Sequence, residues 1–188
     1  LNLHSKIVFV MTGCLLFAGA VLYFAFEYYN PATIGSFTPF QKMLAACFQS
    51  VTTRTAGFVT IPQGGLTAPS VILTLLLMFT GGSPVGTAGG VKTTTLAIIF
   101  LAVIATVRGR EDIICFHRRI QPKTARKALS VVLISFFASI AAIIAMMVFE
   151  PGAAVDQIYE VYSALGTVGI SRDYTATVGI AGKIILCI

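Results

Sequence analysis

"TTRTAGFVT", residues 52–60, sets four threonines, one arginine and one glycine between segments apolar enough to sit in a bilayer. The stretch before it, "TPFQKMLAACFQS" at 38–50, has a capping threonine at Thr38 and a proline at Pro39, suited to the first helical position. A helix of that length spans about 18 Å, so it enters a membrane without crossing it. "IPQGG" at 61–65 then breaks the chain before another apolar run begins near Leu66. A half-length helix followed by an irregular polar segment reads as a re-entrant pore loop. Non-helical backbone at that depth is tolerated only inside protein or along a watery cavity.

The surroundings agree with a membrane setting. Residues 7–26 and 128–149 contain no charged side chain, and about 20 apolar residues cross a hydrocarbon core of about 30 Å. Both are expected to be transmembrane helices; the first is too long, and ends in residues too bulky, for a cleaved secretory signal. The chain has 188 residues, 56% hydrophobic and 11% charged, with net charge +6. Most of that charge lies in residues 108–127, a basic linker that marks the cytoplasmic side. Lys6 agrees with this orientation, and Glu27 and Glu150 fall at the outer ends. No aromatic platform accompanies the basic residues, so no nucleic-acid partner is expected. Cys14, Cys47, Cys115 and Cys187 are scattered, with only His4 and His117 beside them, which gives no zinc or redox motif.

The opening pattern recurs. After 128–149 come "EPGAAVDQIYEVYSAL" and "GTVGISRDYTATVGI", and aligning Gly57 with Gly169 pairs Thr55-Ala56-Gly57 with Thr167-Val168-Gly169. The shared order is long helix, polar turn with proline, short helix, Thr-x-Gly, apolar run. Between the copies, a continuous helix from Ser70 to Val107 would be about 57 Å long, too long for one span. "GGSPVGTAGG" at 81–90 interrupts it with glycines and a proline. A half-helix to about Thr80, an unwound intramembrane loop to about Val91, and a helix from about Thr93 to Val107 are expected. The fold class is therefore an all-α membrane protein of tandem helix, pore loop, helix units: 1–107 with a broken second helix, the linker 108–127, and 128–188, cut short at its last helix.

Removing water from an alkali cation requires replacement oxygens, and backbone carbonyls of a Thr-x-Gly segment supply them, as in potassium-channel filters. Glycine is needed where carbonyls must face one axis. The C-terminal ends of the short helices add partial negative charge. Thr55, Ala56, Gly57, Thr167, Val168 and Gly169 are the expected ion-selectivity residues, with potassium at their carbonyls. Arg54 is expected to point away from the axis, towards loop carbonyls or a carboxylate such as Glu27 or Asp156. "GTAGGVKTTT" at 86–95 differs from a phosphate-binding G-x-x-x-x-G-K-[ST] loop, because Val91 stands before the lysine. Gly81, Gly82, Ser83, Pro84, Gly86, Thr87, Ala88, Gly89, Gly90 and Lys92 instead suit a mobile gating loop, Lys92 either standing in for a cation or pairing with a carboxylate.

"SVTTRTAGF", "GGSPVGTAGGVKTTT" and "SALGTVGIS" together resemble the Trk/Ktr/HKT superfamily of potassium transporters, most closely its KtrB-like membrane subunits. The resemblance implies four repeats around one pore, each giving a filter glycine, with Gly57 and Gly169 in the third and fourth. It also implies an intramembrane gate at 81–92, homodimers in the plasma membrane, a cytosolic nucleotide-binding regulatory ring (KtrA-like), and potassium uptake, often sodium-stimulated, with no covalent cofactor and no catalytic chemistry. The first two repeats are missing from these residues, so the sequence reads as a C-terminal fragment. A non-selective monovalent cation channel, a membrane scaffold without transport, and an enzyme using the glycine-rich loop for phosphate are the alternatives.

Overall fold

A computed structural model describes residues 3–84, 88–109, 113–115 and 118–187. Among the described residues, two helices are long and apolar enough to cross a membrane: α1, Leu3–Glu27, and α5, Pro122–Phe149. Each is followed by a short helix, α2 (Pro39–Thr52) after the first and α6 (Ala154–Leu165) after the second. Helix α2 starts where the sequence places it. The Thr38 hydroxyl accepts from Gln41 N–H, and the Gln41 side chain accepts from Thr38 N–H, a reciprocal capping box.

After α2 the chain passes through a 3-10 turn, Gln63–Gly65, into α3, Ala68–Phe79. The helix stops at Thr80 and the glycines, and the chain turns helical again at α4, Thr93–Val107. The glycine-rich interruption therefore divides the apolar run as the sequence indicates. Gly86 and Thr87 lie outside the described residues. After the polar loop that follows α6 comes α7, Ile180–Cys187.

The basic linker holds more than a connection. Ile113–Cys115 (β1) pairs antiparallel with Arg118–Ile120 (β2), with Ile113 opposite Ile120. Cys115 and Ile120 are buried against Ile7 of α1 and Ala97 of α4. Helix α5 begins at Pro122 rather than at the start of the apolar run. Lys and Arg stems cover apolar surface while their charged heads stay in water, so the basic first turns of α5 continue the helix at little cost.

Each half has its own core. Tyr23, Ala46 and Leu77 pack together across α1, α2 and α3. Met146 of α5, Val161 of α6 and Val178 ahead of α7 form the counterpart. A third cluster joins the halves: Ile34, Ile61, Leu66, Val71, Met78, Tyr159, Val168 and Ile170. It packs α3 against α6 and takes in Val168 of the second Thr-x-Gly segment. Where α1 crosses α2, a Cβ at Gly19 would lie 2.3 Å from Ser50 Oγ. Ser50 Oγ instead donates to the Leu16 carbonyl at 2.9 Å. A small residue at a helix crossing lets backbones approach closely where lipid offers no competing hydrophobic drive.

Candidate ion-selectivity site

Both Thr-x-Gly segments leave the C-terminal end of a short helix in the same unusual backbone conformation. Thr55 has φ 71° and Gly57 φ 79°; Thr167 has φ 51° and Gly169 φ 84°. The residue between, Ala56 or Val168, is not left-handed. A left-handed threonine is a backbone outlier, because its branched Cβ crowds the carbonyl, and such strain persists only where surroundings over-determine it.

Those surroundings are visible. Ala56 and Gly57 N–H both donate to the Thr52 carbonyl, at 3.2 and 3.3 Å. The Thr52 hydroxyl accepts from Phe58 N–H at 2.8 Å and donates to the Phe58 carbonyl at 2.6 Å. In the second segment Thr167 N–H donates to the Ala164 carbonyl and Val168 N–H to the Ser163 carbonyl, at 2.9 and 2.8 Å. Local bonding to the end of α2 or α6 thus fixes each loop.

The two loops meet. A Cβ at Gly57 would stand 2.4 Å from the Val168 carbonyl oxygen, so only glycine allows this approach. Gly169 has nothing within 4 Å of the equivalent point. Beside it runs an open groove of about 370 Å³, lined by Glu160, Ser163, Thr167, Gly169, Ser171 and Thr175. Ala164, Ile170 and Leu186 complete the lining, so hydroxyls and one carboxylate stand on a mostly apolar wall.

The glycine-rich interruption lies against both loops. Gly89 N–H donates to Thr167 Oγ1 at 2.7 Å, and a Cβ at Gly82 would be 3.6 Å from Thr55 Oγ1. The interruption is also tied to itself: Val91 N–H reaches the Phe79 carbonyl, Thr93 N–H the Gly82 carbonyl, and the Lys92 ammonium the Ala88 carbonyl. Ser83 touches Thr12 of α1 at 3.2 Å. Of the residues expected to form a gate, Gly81, Gly82, Ser83, Pro84, Ala88, Gly89, Gly90 and Lys92 are described. Lys92 pairs with a carbonyl of its own loop, and among the described residues no carboxylate pairs with it.

Arg54 is half-buried. Its Nε is buried and has no hydrogen-bond partner among the described residues. Both nominated carboxylates serve other groups. Glu27 accepts from Asn30 Nδ2, the Thr33 hydroxyl, and the Thr67 N–H and hydroxyl, at 2.5–2.9 Å. Asp156 accepts from Arg172 Nε at 2.7 Å.

Glu27 and Glu150 do matching work. Glu27 ends α1 and holds Thr67, the N-cap of α3. Glu150 follows α5 and accepts from Gly179 and Gly182 N–H, at 3.0 and 2.8 Å, where α7 begins. Those two N–H groups hold the Glu150 carboxyl below its usual range. The signal in the sequence was an acid at the C-terminal end of a helix, where the macrodipole disfavours it unless it has a partner elsewhere. Gln63, Gln49, Tyr159 and Arg172, which tie the two loops together from behind, carried no such signal. Among the described residues no group of three or more His, Cys, Asp or Glu is placed to hold a metal ion.

Residues 1–188 match the family model for TrkH, cation transport protein. The chain is 36% identical over 187 residues to the Ktr system potassium uptake protein B of Bacillus subtilis, which covers 100% of this chain and 42% of that protein. It is 33% identical over 188 residues to the Ktr system potassium uptake protein B of Vibrio alginolyticus, covering 100% of this chain and 41% of the relative. It is 33% identical over 192 residues to the potassium/sodium uptake protein NtpJ of Enterococcus hirae, covering 99% and 42%. The chain spans about two fifths of the length of these relatives.

Proposed function

We propose, for a chain that belongs to the TrkH family of cation transport proteins, that it forms part of a potassium uptake pore in the plasma membrane. Carbonyls of Thr55–Gly57 and Thr167–Gly169 select the ion and residues 81–92 gate it. The observation that carries this reading is the repeated backbone: left-handed Thr, ordinary residue, left-handed Gly in both loops, brought into contact at Gly57 and Val168. Alternating left-handed and ordinary residues turns successive carbonyls towards one side of a strand, the arrangement that replaces an ion's hydration shell. The ends of α2 and α6, which feed these loops, add the negative end of a helix dipole to the same place. Potassium is the preferred ion because the similar relatives are named for its uptake, and sodium enters as a stimulant or second ion through the potassium/sodium relative.

The gating assignment rests on the bond from Gly89 to Thr167, which sets the interruption directly against the second loop. The linker 108–127 faces the cytoplasm by its positive charge. There it and the inner ends of α1 and α4 meet a nucleotide-binding regulatory ring, with the membrane subunits paired as a homodimer. The "Ktr system" names of two relatives support a multi-component assembly.

The experiment that tests the selective role is substitution of Gly57 or Gly169 by serine in the full-length protein, read as the ratio of potassium to sodium uptake. A left-handed non-glycine residue costs roughly 1–2 kcal/mol, enough to distort the carbonyl ring, so the ratio should fall. An unchanged ratio in either variant would remove the filter assignment.

A further inference from the structure

Arg172 follows the second loop, and its side chain, 13% exposed, turns away from the groove towards the other half of the protein. Its Nε donates to Asp156 at 2.7 Å, its Nη1 to the Gln63 carbonyl at 2.9 Å, and its Nη2 to the Gly64 carbonyl at 3.4 Å. Gln63 and Gly64 form the 3-10 turn immediately downstream of the first loop. One guanidinium therefore bridges the second loop, the first turn of α6, and the exit of the first loop.

The same turn is gripped from two further sides. The Tyr159 hydroxyl donates to Gln63 Oε1 at 2.9 Å, and Arg172 lies over the Tyr159 ring at 5.7 Å. The Gln63 amide exchanges hydrogen bonds with the Gln49 amide of α2, at 2.7 and 3.3 Å. A connected polar path thus runs from Arg172 through Gln63 to Gln49. On its own side Arg172 N–H donates to Glu160, which also accepts from the Ser171 and Thr175 hydroxyls, so the segment carrying Arg172 is fixed to α6.

We propose that Arg172 is a positioning residue that holds the two Thr-x-Gly loops at their working separation and so sets the preference among alkali cations. This rests on reading those loops as the filter. The loops touch where Gly57 meets the Val168 carbonyl, with no slack for a Cβ, so a change in their spacing is felt first at that carbonyl. Only a planar fork reaches a carboxylate and two carbonyls from one side chain; an ammonium on a flexible stem does not. Because three of its five N–H donors go to fixed acceptors and Asp156 balances its charge, Arg172 brings a cation close to the loops without presenting it to the groove.

The test uses the full-length protein in liposomes, with R172A, R172Q and R172K compared with G169S by the ratio of potassium to sodium flux. G169S should lower the ratio. R172A and R172Q should also lower it severalfold, and R172K should recover it only in part, because lysine restores charge but not the fork. If G169S lowers the ratio while all three Arg172 variants keep it, Arg172 does not position the filter and the proposal falls alone. If R172K recovers the full ratio and R172Q does not, charge and not bridging is responsible, which also overturns it. An unchanged ratio in G169S removes the filter reading and this proposal with it. Should R172A fail to assemble, as judged by its yield and size in detergent, R172Q and R172K decide the outcome.

Discussion

The left-handed threonines show how a residue's surroundings override its own preference. Threonine does not favour φ above zero, yet Thr55 and Thr167 both adopt it, each two residues before a left-handed glycine. The glycines themselves are not equivalent. A serine at Gly57 adds a clash with a backbone carbonyl to the conformational cost, whereas a serine at Gly169 meets open space. Both variants should lose ion preference, but G57S should also lose yield and melt lower in detergent than G169S; equal melting temperatures would contradict the contact with Val168. Gly89 allows a sharper test of the gate. A Cβ there would lie 2.5 Å from Thr167 Oγ1 and 2.6 Å from its Cγ2, so G89A should push the interruption off the second loop. Potassium flux through the full-length protein should rise while the preference over sodium persists. Unchanged flux would show that this contact does not obstruct the pore.

At the scale of elements, each half is fastened by an acid that caps a helix it does not belong to. The N–H donors of Gly179 and Gly182 lower the Glu150 pKa, so the tie is fully present above the ordinary carboxyl value, roughly 4.3, and is lost as pH falls through the lowered one. Relative to its intrinsic rate at each pH, hydrogen exchange across 179–187 should therefore stay constant near neutrality and quicken in stronger acid. In E150Q it should be fast already at neutral pH, and slow exchange there would sink the cap. The α1–α2 crossing gives a second check: G19V inserts carbon where Ser50 Oγ lies, and overpacking of this kind costs about 1–3 kcal/mol, seen as a lower thermal midpoint in detergent. The long helices, the short ones and the glycine break were legible because apolar length and Gly/Pro content are local properties of a sequence. The strand pair Ile113–Cys115 and Arg118–Ile120 was not, since strands of three residues within a charged run are too short to show alternation. Arg172, Gln63 and Tyr159 were missed for a related reason: their partners lie far away in sequence, and only packing of α3 against α6 brings them together.

At the scale of the whole molecule, two halves of similar plan share one core behind two loops that touch. An ion held at these loops would be enclosed on one side only: Gly57 abuts the second loop, while Gly169 borders the open groove. Discriminating potassium from sodium requires carbonyl oxygens to replace most of the hydration shell, and an ion beside two loops keeps water on its free side. The relatives are more than twice as long as this chain. The 188-residue chain expressed alone should therefore insert into liposomes through α1 and α5 yet give no potassium-selective flux, while the full-length protein under the same conditions does. Selective flux from the short chain would mean that its copies assemble into a ring of their own, with loops from neighbouring copies completing the site. Crosslinking would then yield an oligomer rather than a monomer, and the pore would have to be assigned to an interface between copies instead of to one polypeptide.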